Sequence, residues 1–584
     1  MTVYSFSHRN SLARGALSVS SSANANGSAD VSTSNRNRGG GGRNRNTEAS
    51  SSGQRASKIP RTPQKKRTFS STTTTTTSLS ASSSSSSSPT ASNSRTCSAR
   101  GTRAVELLPV YLTDARAVDC YCPEACPDGA LQLSVAENQM LEDLLVPAVR
   151  EFASASSSSE EEEDNQTFYA DMIYYQPTPG RPSLRRAVAD YLRRILSLPG
   201  SLDAEGLVVG AGCNAVLENL CICLAEPGEG VLIPTPYYAA FEFDLVARAR
   251  LEIVPVPTMG HHPEVAIAIA NDDDDNLVAV PPEAYYPNRS ALDAAVEASR
   301  ARGVEPKILL LSHPNNPLGV CYPPSVVREC IEWGRENEIH VVSDEIYAGS
   351  VYRESATNTD GPTFESALSV AAGHPRSDGK ADDGLGIGPY VHFVYALSKD
   401  FCLSGLRVGA AYSENPDIRL PMQKLNDLCQ ISSQTQLLVE KMLTAPSASQ
   451  DGEGGYWSTD DFLPEARRRM KARCEKLESC LNEAGIPHLT SDSGMFVWMD
   501  MREFLPARED GNGSGEESQE TIDKRERTLY LELLQKHGLL FTPGRSMKNE
   551  LPGFFRCVFT AASDHEFDLG LERIVNFVNE KRAP

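Results

Sequence analysis

The apolar run His392-Phe-Val-Tyr-Ala-Leu397 ends in Ser398-Lys399-Asp400, and Gly405-Leu406-Arg407-Val408-Gly409 follows. An ammonium at the end of a buried strand is unfavourable, and desolvation shifts it toward a neutral, nucleophilic amine. Such an amine forms Schiff bases with carbonyl cofactors, of which pyridoxal phosphate is the usual one. Arg407 then offers a fork of donors to a phosphate. The plain alternative is a lysine on a surface turn. Other apolar runs also end in suggestive residues. Leu309-Leu-Leu-Ser312 leads into His313-Pro-Asn-Asn-Pro-Leu-Gly319, and His340-Val-Val-Ser343 into Asp344-Glu-Ile-Tyr347. Leu207-Val-Val-Gly210 leads into Ala211-Gly-Cys-Asn214, where N–H groups at a helix start suit an anion. That glycine pattern alone is little more than a turn signal.

The elements that must position these residues alternate. Strands are expected at 207–210, 230–233, 251–255, 307–312, 339–343 and 392–397, and helices at 181–192, 215–224, 237–245, 291–300 and 325–336. The strands are apolar throughout, as in a parallel sheet covered on both faces. The fold class is therefore α/β, with a mainly parallel, doubly wound large domain. Ligands of such sheets bind beyond the carboxyl ends of the strands, where the suggestive residues lie. A helix is expected from Asn138 to Arg150, and further helices at 430–443, 463–485 and 567–579 suit a smaller α/β domain. The domain expectation is a tail over 1–104, an N-terminal part of the small domain over 105–179 with an acidic loop at 154–164, a large domain over 180–415 with a loop insertion at 357–389, and a C-terminal domain over 416–584 with an insertion at 508–521.

Composition bounds what else the chain can be. Residues 1–100 are dominated by Ser, Thr, Asn and Gly, with a threonine run from Thr72 to Thr77, and have too little apolar surface to offset ordering. That tail holds 14 Lys+Arg against Asp30 and Glu48, a net of +12, so the total of −21 leaves the remainder at −33. An acidic body argues against nucleic-acid binding by the folded part. No 18-residue apolar stretch suggests a membrane span, and no secretory signal follows Met1. The 14 cysteines are read as thiols of a reducing compartment. Cys120, Cys122 and Cys126 invite a metal reading, but Pro123 and Pro127 mark a loop and no fourth ligand stands nearby, so no metal is expected. A cytoplasmic protein is expected, with an organellar transit segment as the alternative for the Arg- and Ser-rich tail; Lys65-Lys66-Arg67 admits a nuclear reading.

In this order, Asn316-Pro-Leu-Gly319, Asp344-Glu-Ile-Tyr347 and Ser398-Lys399 through Gly405-Leu-Arg-Val-Gly409 resemble the class I/II aminotransferase family of fold-type I pyridoxal-phosphate enzymes. Ala136-Glu-Asn-Gln139, Pro234-Thr-Pro-Tyr-Tyr238, Leu397-Ser-Lys-Asp400 and Pro552-Gly-Phe-Phe-Arg556 are most similar to the 1-aminocyclopropane-1-carboxylate (ACC) synthase branch. The resemblance spans roughly residues 118–580. It implies pyridoxal 5′-phosphate as cofactor and roles by position. Lys399 would be Schiff-base partner and base for the Cα proton. Asp344 would hold the ring nitrogen protonated. Asn316 and Tyr347 would bond the ring's phenolic oxygen. Arg407, Ser398, Cys213 and Asn214 would hold the phosphate, with Asn214 replacing the usual hydroxyl. Tyr238 would stack on the ring, with Tyr237 as the alternative in register. Arg556 would grip the substrate carboxylate, and Glu137 would face the substrate; helix-terminal and core readings exist for both Glu137 and the tyrosines.

Two positions depart from authentic ACC synthases. Ala396 stands where the family has a phosphate-binding serine, and Thr178 where it has a tyrosine reaching the neighbouring subunit's cofactor. The expected function is therefore transamination of a small α-amino acid with a keto acid. ACC formation from S-adenosylmethionine is the alternative, and a catalytically silent cofactor-binding scaffold is the alternative of another class. A homodimer is implied by the resemblance.

Overall fold

The computed structural model describes residues 109–153, 173–264, 277–353, 364–373, 385–448, 454–508 and 518–583, together with 104, 106 and 107. The expected acidic loop at 154–164 lies outside these, as do parts of both expected insertions.

Among the described residues, twelve strands form three sheets. The N-terminal β1 (Leu131–Gln132) precedes the strands of a seven-stranded sheet: β2 (Leu207–Gly210), β3 (Gly230–Pro234), β4 (Glu252–Val256), β5 (Pro306–Ser312), β6 (His340–Asp344), β7 (Val391–Ala396) and β8 (Gly409–Ser413). Their order is β2-β8-β7-β6-β5-β3-β4. The apolar runs explain the sheet's depth. Ile308 through Leu311 are fully buried, as are Val341 and Val342. Helices Pro182–Ile195, Cys213–Leu224, Arg289–Ala301 and Pro324–Glu336 link and cover the strands.

One strand runs against the others. β8 is antiparallel to both β2 and β7, whereas β3–β4, β3–β5, β5–β6 and β6–β7 pair in parallel. Residues 397–408 hold only the short helix Leu397–Asp400 and the turn Ser404–Leu406, with no full helix to carry a crossover over the sheet. The chain therefore turns on itself, and Gly409 pairs with Ala396. Lys399 sits within that turn, in the short helix Leu397–Asp400.

The C-terminal layer holds β9 (Phe496–Asp500), β10 (Leu539–Leu540), β11 (Thr542–Pro543) and β12 (Phe554–Val558). β12 lies between β11 and β9, antiparallel to both, while β10 pairs in parallel with β1, so the N-terminal segment joins this layer. Helix Asp564–Lys581 starts with a capping box between Ser563 and Glu566.

Several boundaries differ from expectation. The helix expected from Asn138 begins at Glu142, because the Asn138 carboxamide accepts from Met140 N (3.0 Å) and closes a turn instead. The helix expected at 237–245 is confined to Phe241–Val246, since Tyr237 N is bonded to Met547 O (2.9 Å) outside any helix. The segment 357–389 is not a bare loop. It contains the helix Ala367–Ala372, capped by Ser366 and tied to the sheet by Glu345, which accepts from Ala367 N at 2.8 Å.

Candidate active site

The carboxyl ends of β2, β3, β5, β6 and β7 lie along one edge of the sheet, and β8 begins there because it runs in reverse. This edge brings together Cys213 after β2, Tyr238 after β3, Asn316 after β5, Asp344 ending β6, Lys399 after β7 and Arg407 before β8. Arg556 comes from the neighbouring layer, in β12 opposite Trp498 and Thr542.

Lys399 Nζ donates to Ala136 O at 2.5 Å. Burial, with the nearby charges of Arg556 and Arg407, lowers its pKa to about 8, while Glu137 opposes the shift. The half-buried Glu137 is thus part of the lysine's surroundings, and Thr560 Oγ1 holds its carbonyl at 2.6 Å. Asp344 is buried and accepts from Ile346 N (3.3 Å) and the Cys213 thiol (3.7 Å). Desolvation raises its pKa to about 7 against the lowering effect of these bonds and of Lys399. Ser398 is buried beside the lysine; its carbonyl accepts from Ser404 Oγ at 3.2 Å, and its hydroxyl has no partner among the described residues.

Arg556 is 3% exposed. Its Nη1 donates to Asn316 Oδ1 (2.7 Å), and its Nη2 to Ser134 O (2.6 Å) and Thr542 Oγ1 (3.2 Å). Its guanidinium lies over the Phe496 ring, 5.3 Å from the centroid, and Tyr347 meets the same ring edge-on. Among the described residues no carboxylate pairs with Arg556, and its buried Nε has no partner. A buried cation without a counter-charge is strongly destabilising. The site therefore calls for an anion.

The two asparagines of the β5 turn divide their work. Asn315 Oδ1 accepts from Leu318 N (3.2 Å) and its Nδ2 donates to Tyr322 OH (2.8 Å), which shapes the loop. Asn316 reaches Arg556, and with its oxygen so engaged its NH₂ group is the donor that remains.

The residues fit a phosphorylated pyridoxal. Gly212 has φ +92°, and a Cβ there would run into the Arg407 guanidinium. Gly409 packs so closely on the Gly212 backbone that a Cβ would strike it. These glycines let Arg407, itself in the left-handed region at φ 56°, lie across the start of helix Cys213–Leu224. First-turn N–H groups have no carbonyl partner within a helix, so Cys213, Asn214 and Arg407 could together cradle a dianion. The Asn214 side chain is turned to Asp244, donating to Oδ2 at 2.5 Å. Tyr238 is close enough to Tyr347 and Arg556 to feel their charges, whereas Tyr237 OH is engaged with Glu242 at 3.0 Å. Tyr238 is therefore the tyrosine that faces the site.

Sequence reading missed six residues, among them Ala136, whose carbonyl holds the Lys399 amine. Ser134 acts through its backbone carbonyl, which no residue type announces. Thr542 and Tyr111 come from distant segments; Tyr111 is raised by burial and lies within reach of Arg556 and Thr542. Asp244 carried no motif. Asp400 follows the lysine directly and accepts from Gly349 N (2.7 Å), Ser350 Oγ (2.5 Å) and Tyr395 OH (2.7 Å). Its adjacency to Lys399 was a usable signal. Thr178 lies beside the start of the cradle, its carbonyl accepting from Asn426 Nδ2 at 2.6 Å, which also donates to Val209 O. Ala396 is buried in extended backbone and offers no hydroxyl.

Residues 131–574 match the family model for aminotransferase class I and II. The chain is 31% identical over 462 residues to 1-aminocyclopropane-1-carboxylate synthase 4 of Oryza sativa subsp. japonica, covering 79% of this chain and 84% of that enzyme. It is 30% identical over 455 residues to 1-aminocyclopropane-1-carboxylate synthase 11 of Arabidopsis thaliana, covering 78% and 85%. Among solved structures, a Thermus thermophilus aspartate aminotransferase double mutant superposes with a TM-score of 0.55 at 20% identity, covering 83% of this chain and 97% of that one. The aromatic aminotransferase of Pyrococcus horikoshii gives a TM-score of 0.57 at 18% identity, covering 78% and 96%. The chain belongs to the class I and II aminotransferase family and is a pyridoxal-phosphate-dependent enzyme of that fold.

Proposed function

We propose that the protein transaminates a small α-amino acid with a keto acid. The observation that carries this reading is Arg556, a buried guanidinium without a carboxylate partner, near the half-buried amine of Lys399. When bound, pyridoxal phosphate supplies an aldehyde open to an amine and a ring that withdraws electrons from Cα. Arg556 binds the substrate carboxylate through its free Nε edge and so orients Cα. Lys399, neutral above about pH 8, would hold the cofactor through its amine and, as a free amine, would take the Cα proton. Asp344 as carboxylate would hold a proton at the ring nitrogen. Asn316 and Tyr347 would donate to the phenolic oxygen, Tyr238 would cover the ring, and Arg407 with the Cys213 and Asn214 N–H groups would hold the phosphate. Ser398 is a further candidate phosphate donor, and Glu137 faces the substrate amine.

A second reading is ACC formation from S-adenosylmethionine, favoured by the similarity to ACC synthases. It requires expulsion of a γ sulfonium rather than reprotonation and hydrolysis. Incubation with amino acid and keto acid pairs, and separately with S-adenosylmethionine, distinguishes the two. New keto acid supports transamination, and ACC without keto acid overturns it. The third reading, a silent scaffold, requires a bound-cofactor absorbance lost in Lys399→Ala and unmoved by any amino acid.

The proposal includes a homodimer. Ile173, Tyr174, Tyr175 and Leu428 are exposed apolar side chains. Their segments meet where Asn426 Nδ2 bonds Thr178 O and Val209 O, next to the phosphate cradle. A second copy covering this patch would close the site from outside. Sedimentation of wild type and Leu428→Asp tests this, with the variant expected as a monomer.

A further inference from the structure

The loop before β1 carries three cysteines that the proposed chemistry does not use. Cys122 and Cys126 stand directly opposite one another in an isolated antiparallel bridge. They exchange both backbone bonds, Cys122 N to Cys126 O at 3.0 Å and Cys126 N to Cys122 O at 2.9 Å. Residues paired in this way have Cα atoms about 5.5 Å apart and side chains on the same face. That separation lies in the range a disulfide spans. Both residues are partly exposed, their sulfurs are not bonded to each other, and the Cys122 thiol donates to Glu124 Oε2 at 3.7 Å.

We propose that Cys122 and Cys126 form a reversible intrachain disulfide by exchange with a low-molecular-weight disulfide. One thiolate attacks a sulfur of the small disulfide, making a mixed disulfide and releasing one equivalent of thiol. The second cysteine, as thiolate, attacks the protein-bound sulfur, closes the Cys122–Cys126 bond and releases the second equivalent. The protein loses two electrons and two protons, and the small disulfide becomes two thiols.

Three observations make the bond a labile one rather than a structural staple. The ring it closes is only five residues long, so it removes little unfolded-chain entropy. Cβ atoms of a hydrogen-bonded pair stand farther apart than a relaxed disulfide prefers, and strained, exposed bonds are the readily reduced ones. The loop is also already fixed without it. Arg573 donates to Pro127 O (2.8 Å), Gly129 O (2.7 Å) and Gly538 O (3.1 Å). Cys120 instead lies opposite Ala130 in a separate bridge.

The test is differential alkylation and mass spectrometry of the full-length holoenzyme in buffers of oxidised and reduced glutathione. The expected result is joint loss of alkylation at Cys122 and Cys126, loss of two hydrogen atoms by that peptide, and reversal by reduced thiol. Cys126→Ser is expected to trap a persistent glutathione adduct on Cys122, while Cys120→Ser leaves the exchange unchanged. Retained cofactor absorbance shows that each variant has folded. The proposal is overturned if both cysteines stay alkylatable, if each holds its own glutathione, or if either pairs with another cysteine.

Discussion

The chemistry rests on two side chains held in unfavourable states. Arg556 is buried without a counter-ion, and the half-buried Lys399 has its pKa lowered to about 8. Arg556→Ala is expected to lower kcat/KM for α-amino acids by about 2–4 kcal/mol, roughly 30- to 1,000-fold, with cofactor absorbance retained. Steady-state kinetics over a range of carboxylate and decarboxylated substrates checks this, since amines lacking the carboxylate should be indifferent to the change. The lysine makes a pH prediction. A lysine pKa lowered to about 8 leaves the amine protonated below that value and neutral above it. The rate at which cofactor-free protein captures pyridoxal phosphate should therefore rise with pH and level off above about 8, as followed by stopped-flow absorbance. Lys399, Asp344 and Arg407 could be read from the sequence because their types are costly to place at apolar strand ends without a use. Ser134 and Ala136 could not, because they act through carbonyls that every residue carries.

At the scale of elements, the turn between β7 and β8 is the critical connection. Asp400 ties it to the turn after β6 through Gly349 N and Ser350 Oγ, and to Tyr395 OH, which meets Tyr191 OH at 2.9 Å. Asp400→Ala strands three buried donors, each worth about 1–3 kcal/mol when unpaired. Urea denaturation should show a loss of at least about 3 kcal/mol, and Asp400→Asn should recover part of it. Gly212→Ala tests the cradle: its Cβ displaces Arg407, so cofactor affinity should fall at least tenfold, about 1.4 kcal/mol, by equilibrium dialysis, with far-UV circular dichroism unchanged. The strands were legible because they are uninterrupted apolar runs. The reversal of β8 was not, since strand direction depends on connection length and not on composition. The helix Ala367–Ala372 was hidden between polar stretches whose composition reads as loop.

Across the whole molecule, the family match begins at residue 131, far beyond the Ser- and Thr-rich stretch. A chain lacking residues 1–103 should keep its cofactor absorbance and its substrate kinetics within about twofold, under 0.5 kcal/mol. Within the described residues no helix is long and apolar enough to cross a membrane, and no cluster of three metal-ligating groups occurs, Cys120, Cys122 and Cys126 included. The site spans the chain: Lys399 reaches a carbonyl 263 positions earlier, and Arg556 one 422 positions earlier. Contacts of such sequence separation close large loops, and their entropy is recovered only when both ends are in place. A partly folded chain can hold β5, β6 and β7 together and still lack Arg556 and the Ala136 carbonyl. In refolding experiments, recovery of the bound-cofactor spectrum should therefore trail recovery of helical circular dichroism. The reactive amine would then acquire its lowered pKa only in the finished structure, which spares the nascent chain from indiscriminate reaction with cellular aldehydes.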